Sequence, residues 1–295
     1  MQQAAAATRE GIEQHVATLA RDIGERNVQR PQALAAAADY IARQWRAQGY
    51  EVVPQFYTTH GVKSANLEAT RRGKTRPNEF ILVGAHYDSV AGSPGANDNA
   101  SGVAAMLEIS RLFAATEPAR SVRFVAFVNE EPPFFFWKEM GSMVYARAAR
   151  QRGDDIRLMI SLETIGYYRD EPGSQRYPPF FGRFYPDRGN FIAFVSNFRS
   201  RSQMLRTVAA FRAHSDFPIE HAATFEWVPG VNWSDHLSFW RQGYPALMAT
   251  DTAPYRYPHY HRPSDTPDKL DYPRLARLTE GLYRALVALA MGEGF

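Results

Sequence analysis

Apolar residues follow two rhythms along this chain. Ile12, Val16, Leu19 and Ile23 recur every three or four positions, and the Ala-rich stretch after Pro31 does the same. That spacing lines one face of a helix, so two opening helices are predicted, the second ending near Gly49. Short β-type runs follow at 51–57 and 66–70, then a polar turn over 71–78. The second rhythm is a set of compact apolar runs at 80–85, 122–128, 158–162, 191–195 and 246–249. Such runs read as strands buried on both faces, the mark of a parallel sheet. Helical patterns lie between them at 100–115, 141–152, 203–211 and 236–242, and a last helix carries Leu275, Leu278, Leu282, Leu286 and Leu289. The alternation predicts an α/β fold, a three-layer sandwich whose central, mainly parallel mixed sheet is flanked by helices. No linker, repeat or low-complexity tract interrupts it, so residues 1–295 read as a single domain.

Composition removes several function classes. The chain has no cysteine, which excludes disulfides, iron–sulfur sites and thiol nucleophiles. Lys+Arg 34 against Asp+Glu 31 leaves a net charge of +3. So small a surplus, with no nucleic-acid motif even in the Arg/Tyr-rich tract 169–188, argues against a nucleic-acid partner. No apolar run approaches the ~18 residues of a membrane span, so no membrane partner is expected. Residues 1–14 carry Arg9 and Glu10 and lack a signal peptide's apolar stretch. The chain therefore reads either as cytoplasmic or as a mature form without its leader.

Chemistry concentrates where strands end, the edge at which open α/β sheets bind ligands. The run 80–85 is followed by His86-Tyr87-Asp88-Ser89, and then by Gly95-Ala96-Asn97-Asp98-Asn99-Ala100-Ser101-Gly102. The run 122–128 leads to Asn129-Glu130-Glu131, and 158–162 to Glu163. After 246–249 comes Tyr257-Pro258-His259-Tyr260-His261-Arg262-Pro263-Ser264-Asp265-Thr266. Singly, each has a plain structural explanation: Asp98 suits a turn or helix cap, and a Glu-Glu pair suits a solvated surface. Together they form a donor set. Imidazole and carboxylate suit zinc, and two ions need about five protein ligands, one of them shared. Adjacent glutamates allow one to bind metal while the other moves protons.

These segments, with Glu163-Thr164-Ile165-Gly166, Ser234-Asp235-His236 and His261, resemble the co-catalytic zinc aminopeptidases of metallopeptidase family 28, which also contains glutaminyl cyclases. The resemblance runs from about Ala33 to the C-terminus. It implies a zinc-exopeptidase fold, of the phosphorylase/hydrolase-like kind, holding two zinc ions per chain. One ion would be held by His86, Asp98 and Glu163, the other by Asp98, Glu131 and His261, with Asp98 bridging. Glu130 would be the general base, Asp88 would orient His86, and Tyr260 would hydrogen-bond the tetrahedral intermediate. The Asp98–Asn99 peptide would be cis. Relatives are often exported, so a mature exported form is the expectation.

Three departures stand out. Glu163 takes a position where many members have aspartate. Arg262 replaces a small hydroxyl residue, and Pro132-Pro133-Phe134-Phe135-Phe136-Trp137 inserts aromatics after Glu131. Phe135, Phe136 and Trp137, with Asp235, are expected to line the substrate pocket and favour large apolar N-terminal side chains. His259 competes with His261 as a ligand but sits wrongly before Pro263. The sequence assigns no role to His15, His60, His214 or His221. The expected activity is removal of the N-terminal residue from a peptide with a free N-terminus. The alternatives are a glutaminyl cyclase of the same fold and a peptidase-like binding domain without activity.

Overall fold

The computed structural model describes residues 2–292. Its frame is a sheet of eight strands: β1 (Val52–Thr59), β2 (Val62–Arg71), β3 (Arg76–His86), β4 (Arg120–Phe127), β5 (Asp155–Glu163), β6 (Ile192–Asn197), β7 (Ile219–Thr224) and β8 (Ala246–Thr250). They lie in the order β1-β2-β4-β3-β5-β8-β6-β7. The block β4-β3-β5-β8 is parallel, as is β6-β7, while β1-β2, β2-β4 and β6-β8 are antiparallel. The sheet is mixed, with its parallel centre made by the apolar runs.

Side chains of the central strands alternate between two cores. Ile81, Val83, Val122, Phe124, Leu158 and Ile160 face one layer, built on α1 (Gln2–Val16), α2 (Pro31–Ala47), α3 (Gly102–Phe113), α5 (Arg201–His214) and α8 (Tyr272–Met291). Leu82, Val125, Phe127 and Met159 face the other, built on α4 (Gly141–Arg152) and α6 (His236–Arg241). This is a three-layer α/β sandwich. Full burial of each such side chain stabilises the fold by ~1.5–3 kcal/mol. No helix among the described residues is long and apolar enough to cross a membrane.

The structure extends the sequence reading in four places. The runs at 51–57 and 66–70 are longer, and form one hairpin closed at His60-Gly61, both with positive φ, a two-residue turn that suits strand twist. The stretch 71–78 is partly strand, because β3 begins at Arg76. The edge strand β7, IEHAAT, has no apolar run because only part of it is covered. A single helical turn, α7 (Ala253–Arg256), lies in the proline-rich stretch before His261.

Connection order fixes where a site can form. From β3 the chain crosses to β4 on one side, then to β5 on the other. The loops leaving β3, β4 and β5 therefore diverge at their carboxyl ends and leave a crevice.

Candidate metal centre

The crevice gathers the donors from separate elements. His86 ends β3, Glu163 ends β5, and Glu130-Glu131 follow β4. Asp98 sits in an irregular turn before α3, and its peptide to Asn99 is cis. His86 Nε2 stands 3.3 Å from Asp98 Oδ1 and 3.4 Å from Glu163 Oε2. His261 Nε2 stands 3.1 Å from Asp98 Oδ2 and 3.2 Å from Glu131 Oε2. Asp98 thus turns one oxygen to each histidine. Two donor triads result, His86/Asp98/Glu163 and Asp98/Glu131/His261. His259 is elsewhere engaged, its Nδ1 2.9 Å from the Ser264 hydroxyl.

These residues fit zinc. Ligands held ~2.0–2.1 Å from a tetrahedral ion lie ~3.3 Å from one another, the spacing seen here. Both ring nitrogens of His86 and Asp98 Oδ1 are buried without a hydrogen-bond partner among the described residues. Such atoms are costly unless something satisfies them.

The electrostatics point the same way. Burial works to raise the Asp98 pKa, yet the imidazoles of His261 and His86 hold it below the ordinary range. Burial, then the charge of Asp98, lifts Glu131 to about 7. Burial also raises Glu163, and raises Glu130 well above its usual value despite His86. For His261, burial opposes the charged form, but Asp98 and Glu131 outweigh it and bring the ring to about 10. A buried excess of carboxylates seeks cations.

Neighbouring groups hold the donors in place. Asp88 lies 3.6 Å from His86 Nδ1, and its two oxygens accept the amides of Glu130 and Glu131, each at 3.1 Å. The Ser234 hydroxyl donates to Glu163 Oε2 at 2.7 Å, fixing the longer arm. Asp265 accepts the amides of Asn97 and Asp98 and the Tyr257 hydroxyl. Asn129, Thr164 and His261 all adopt positive φ, a conformation rare outside glycine that clusters at functional sites. At Gly95 a Cβ would run into the Asp98 carbonyl, so only glycine fits that approach.

Arg26 was not singled out by the sequence. Its guanidinium is fully buried and donates to the carbonyls of Tyr87, Pro94 and Gly95, behind the loop that carries Asp98. Burial draws its pKa down to about 10, against the nearby carboxylates of Asp88, Asp265, Asp98 and Glu131. A lone arginine in a loop carries no sequence signal for such a role.

Tyr260 stacks on His261, ring centroids 3.9 Å apart. Burial, then the Asp98 charge, pushes its phenol well above 10, so it stays a neutral donor. Tyr260 and Glu163 also border a cavity of about 110 Å³, open to solvent. Its walls are Tyr177, Phe181, Tyr185, Val228 and Tyr255. None of Phe135, Phe136, Trp137 and Asp235 lines it. Phe135 packs on the α4/α6 core, Phe136 lies against it, and Trp137 is 66% exposed. Asp235 is buried among the charges of His86, Glu163 and Asp88, and burial lifts its carboxyl to about 7. Phe135 and Phe136 thus pack toward α6, while the aromatics of the 177–185 loop wall the cavity.

The family model described as peptidase family M28 matches residues 66–286. This chain belongs to peptidase family M28. An Escherichia coli protein described as uncharacterized protein YfbL is 38% identical over 289 residues, 95% of this chain and 88% of that one. Among solved structures, the M28 chain superposes on a zinc aminopeptidase from Bacillus subtilis with TM-score 0.77 at 15% identity, covering 97% of this chain and 96% of that one. It superposes on a Bacteroides thetaiotaomicron glutaminyl cyclase with TM-score 0.69 at 19% identity, covering 98% of both. At such identities these two show the fold alone.

Proposed function

We propose that this M28 chain is a zinc-dependent aminopeptidase that binds two ions and hydrolyses the first peptide bond of a peptide with a free N-terminus. The observation that carries the reading is Asp98, whose two oxygens complete two triads, one of which borders an apolar cavity through Glu163. The Bacillus neighbour, a zinc aminopeptidase on the same fold, supports it.

Zinc in the triads would act as a Lewis acid, polarising the scissile carbonyl and acidifying water. His86, Asp98 and Glu163 would hold one ion, and Asp98, Glu131 and His261 the other. Glu130 belongs to neither triad; its Oε2 lies 3.8 Å from His86 Nε2. A carboxylate pushed up by burial is a stronger base, so Glu130 accepts the proton of the attacking water and passes it to the leaving amine. Asp88 holds the Glu130 and Glu131 amides, so that base and ligand keep separate directions. Tyr260, neutral and at the cavity edge, donates to the oxygen that gains charge.

The test pairs metal content with turnover. The zinc-loaded protein should carry two ions per chain and release p-nitroaniline from leucine p-nitroanilide. Glu130→Gln should keep both ions and lose ~10²–10⁴ in turnover. Unchanged turnover in that variant would remove Glu130 as base. Ammonia release from a glutaminyl peptide without peptide cleavage would replace hydrolysis by cyclisation.

A further inference from the structure

The cavity has a far end that the hydrolytic reading does not use. Sheet register defines it: Glu163 of β5 pairs with Thr250 of β8, Thr250 with Ala193 of β6, and Ala193 with Glu220 of β7. Paired residues point to the same face, and all of these line the cavity. Its floor is thus one cross-sheet row with a metal-triad carboxylate at one end and Glu220 at the other. Three strand spacings separate them, ~14 Å between their Cα atoms.

Glu220 is free to take a ligand. It has no hydrogen bond or ion pair among the described residues. Two tyrosines stand close to it, but both hydroxyls are committed: Tyr177 donates to the Pro186 carbonyl and Tyr185 to that of His221. Arg212 acts on Glu220 through space while directing its guanidinium toward the Ile219 carbonyl. Arg176, which also borders the cavity, is exposed. Burial raises the Glu220 carboxyl pKa. Beside it, Tyr177 and Tyr185 are stacked at 5.8 Å, and Tyr185 and Phe181 at 6.3 Å. An apolar passage ending in stacked rings and an unpaired carboxylate matches a long alkyl stem with a cationic tip. The rings take a guanidinium on their faces, and the carboxylate takes its N–H groups.

Resting on the aminopeptidase reading, we infer that the cavity takes the N-terminal side chain and that Glu220 selects basic residues, arginine above all. Alkyl burial along Val195, Ala222 and Met248 still admits leucine or methionine, which leave Glu220 to solvent. An extended arginine side chain spans ~6–7 Å from its Cα. With the Glu220 side chain reaching inward, that closes the distance a short side chain leaves open.

The experiment is calorimetric binding of argininamide and norleucinamide to the zinc-loaded Glu130→Gln protein, in which the amides are not turned over, with Glu220 intact and with Glu220→Gln, alongside turnover of arginine and leucine p-nitroanilides with Glu130 in place. Argininamide should bind at least ~tenfold tighter than norleucinamide, as a charge-assisted pair requires. Glu220→Gln should erase that ratio while norleucinamide affinity and leucine turnover stay within about twofold. An unchanged ratio in Glu220→Gln would reduce Glu220 to a charge guarding an edge strand and overturn the inference. So would tighter binding of norleucinamide or glutamate amide with Glu220 intact. Loss of all turnover with the binding ratio intact would instead strike the aminopeptidase reading and leave the pocket assignment standing.

Discussion

Asp98 gives the centre an asymmetry that single substitutions can expose. Replacing His261 removes a donor from only one triad, since His86, Asp98 and Glu163 remain together. His261→Ala should therefore lose one ion per chain by elemental analysis; unchanged metal content would take His261 off the ligand set. Glu131→Gln trades an anionic oxygen for a neutral one at the same triad. Its activity should fall and partly recover with excess zinc, whereas that of Glu130→Gln should not. Zinc loss in Glu130→Gln rather than Glu131→Gln would reverse the two roles. Arg26 acts more remotely, through the carbonyls of Tyr87, Pro94 and Gly95. Arg26→Met leaves those acceptors buried and unpaired beside several carboxylates, and should destabilise the fold by ~3–5 kcal/mol. Thermal melts that match the wild type would remove this support role.

Helix packing carries its own titration. Gly11 of α1 approaches α3 so closely that a Cβ would meet the Glu108 carboxyl. Glu108 is buried between them, 3.5 Å from His15 Nε2 and 2.7 Å from the Arg111 guanidinium. Burial works to raise its pKa, but His15 and Arg111 outweigh it and the value is lowered from 4.5. A lowered folded pKa gives stability that is present above the unfolded value and lost as pH falls through the folded one. Glu108→Gln should thus lower the melting temperature near pH 7, by an amount that shrinks once pH drops below 4.5. A pH-independent difference would mean that the carboxylate charge contributes nothing. The elements differ in how much of this the sequence reveals. The strands β3, β4, β5 and β8 are covered on both sides, so their apolar runs, and the polar donors where the runs stop, are plain. β7 sits at the edge, half-covered, and its Glu220 and His221 break any periodic signal. The cavity walls escape for a different reason. Four aromatics in a row at 134–137 and scattered ones at 177–185 look alike in sequence, and only the cross-sheet register puts the second set beside Glu163. Arg26 is silent because nothing local distinguishes a buried guanidinium from a solvated one.

Across the whole molecule, the crevice is where the fold carries a deficit of positive charge. Asp88, Asp98, Glu130, Glu131, Glu163 and Asp235 are all buried near β3, β4 and β5, against the imidazoles of His86 and His261 and the guanidinium of Arg26. Repulsion among the carboxylates bears on loops that leave three adjacent strands, so it opposes closure of the sheet's central edge. Divalent ions bound only by the folded chain offset this repulsion and add a linkage term of ~2.7 kcal/mol for each site at a hundredfold excess over its Kd. A chelator should therefore lower the melting temperature of the zinc-loaded protein, and added zinc should restore it. The drop should be smaller in His261→Ala, which retains one complete triad and starts from a single ion. Protection of the 86–99 loop in hydrogen exchange should fall with the metal, while that of α8, whose Leu278, Leu282 and Leu289 pack in the helical core, should hold. A melting temperature indifferent to chelator would show that the buried carboxylates settle their charge by taking up protons, and that metal contributes to chemistry without contributing to the fold.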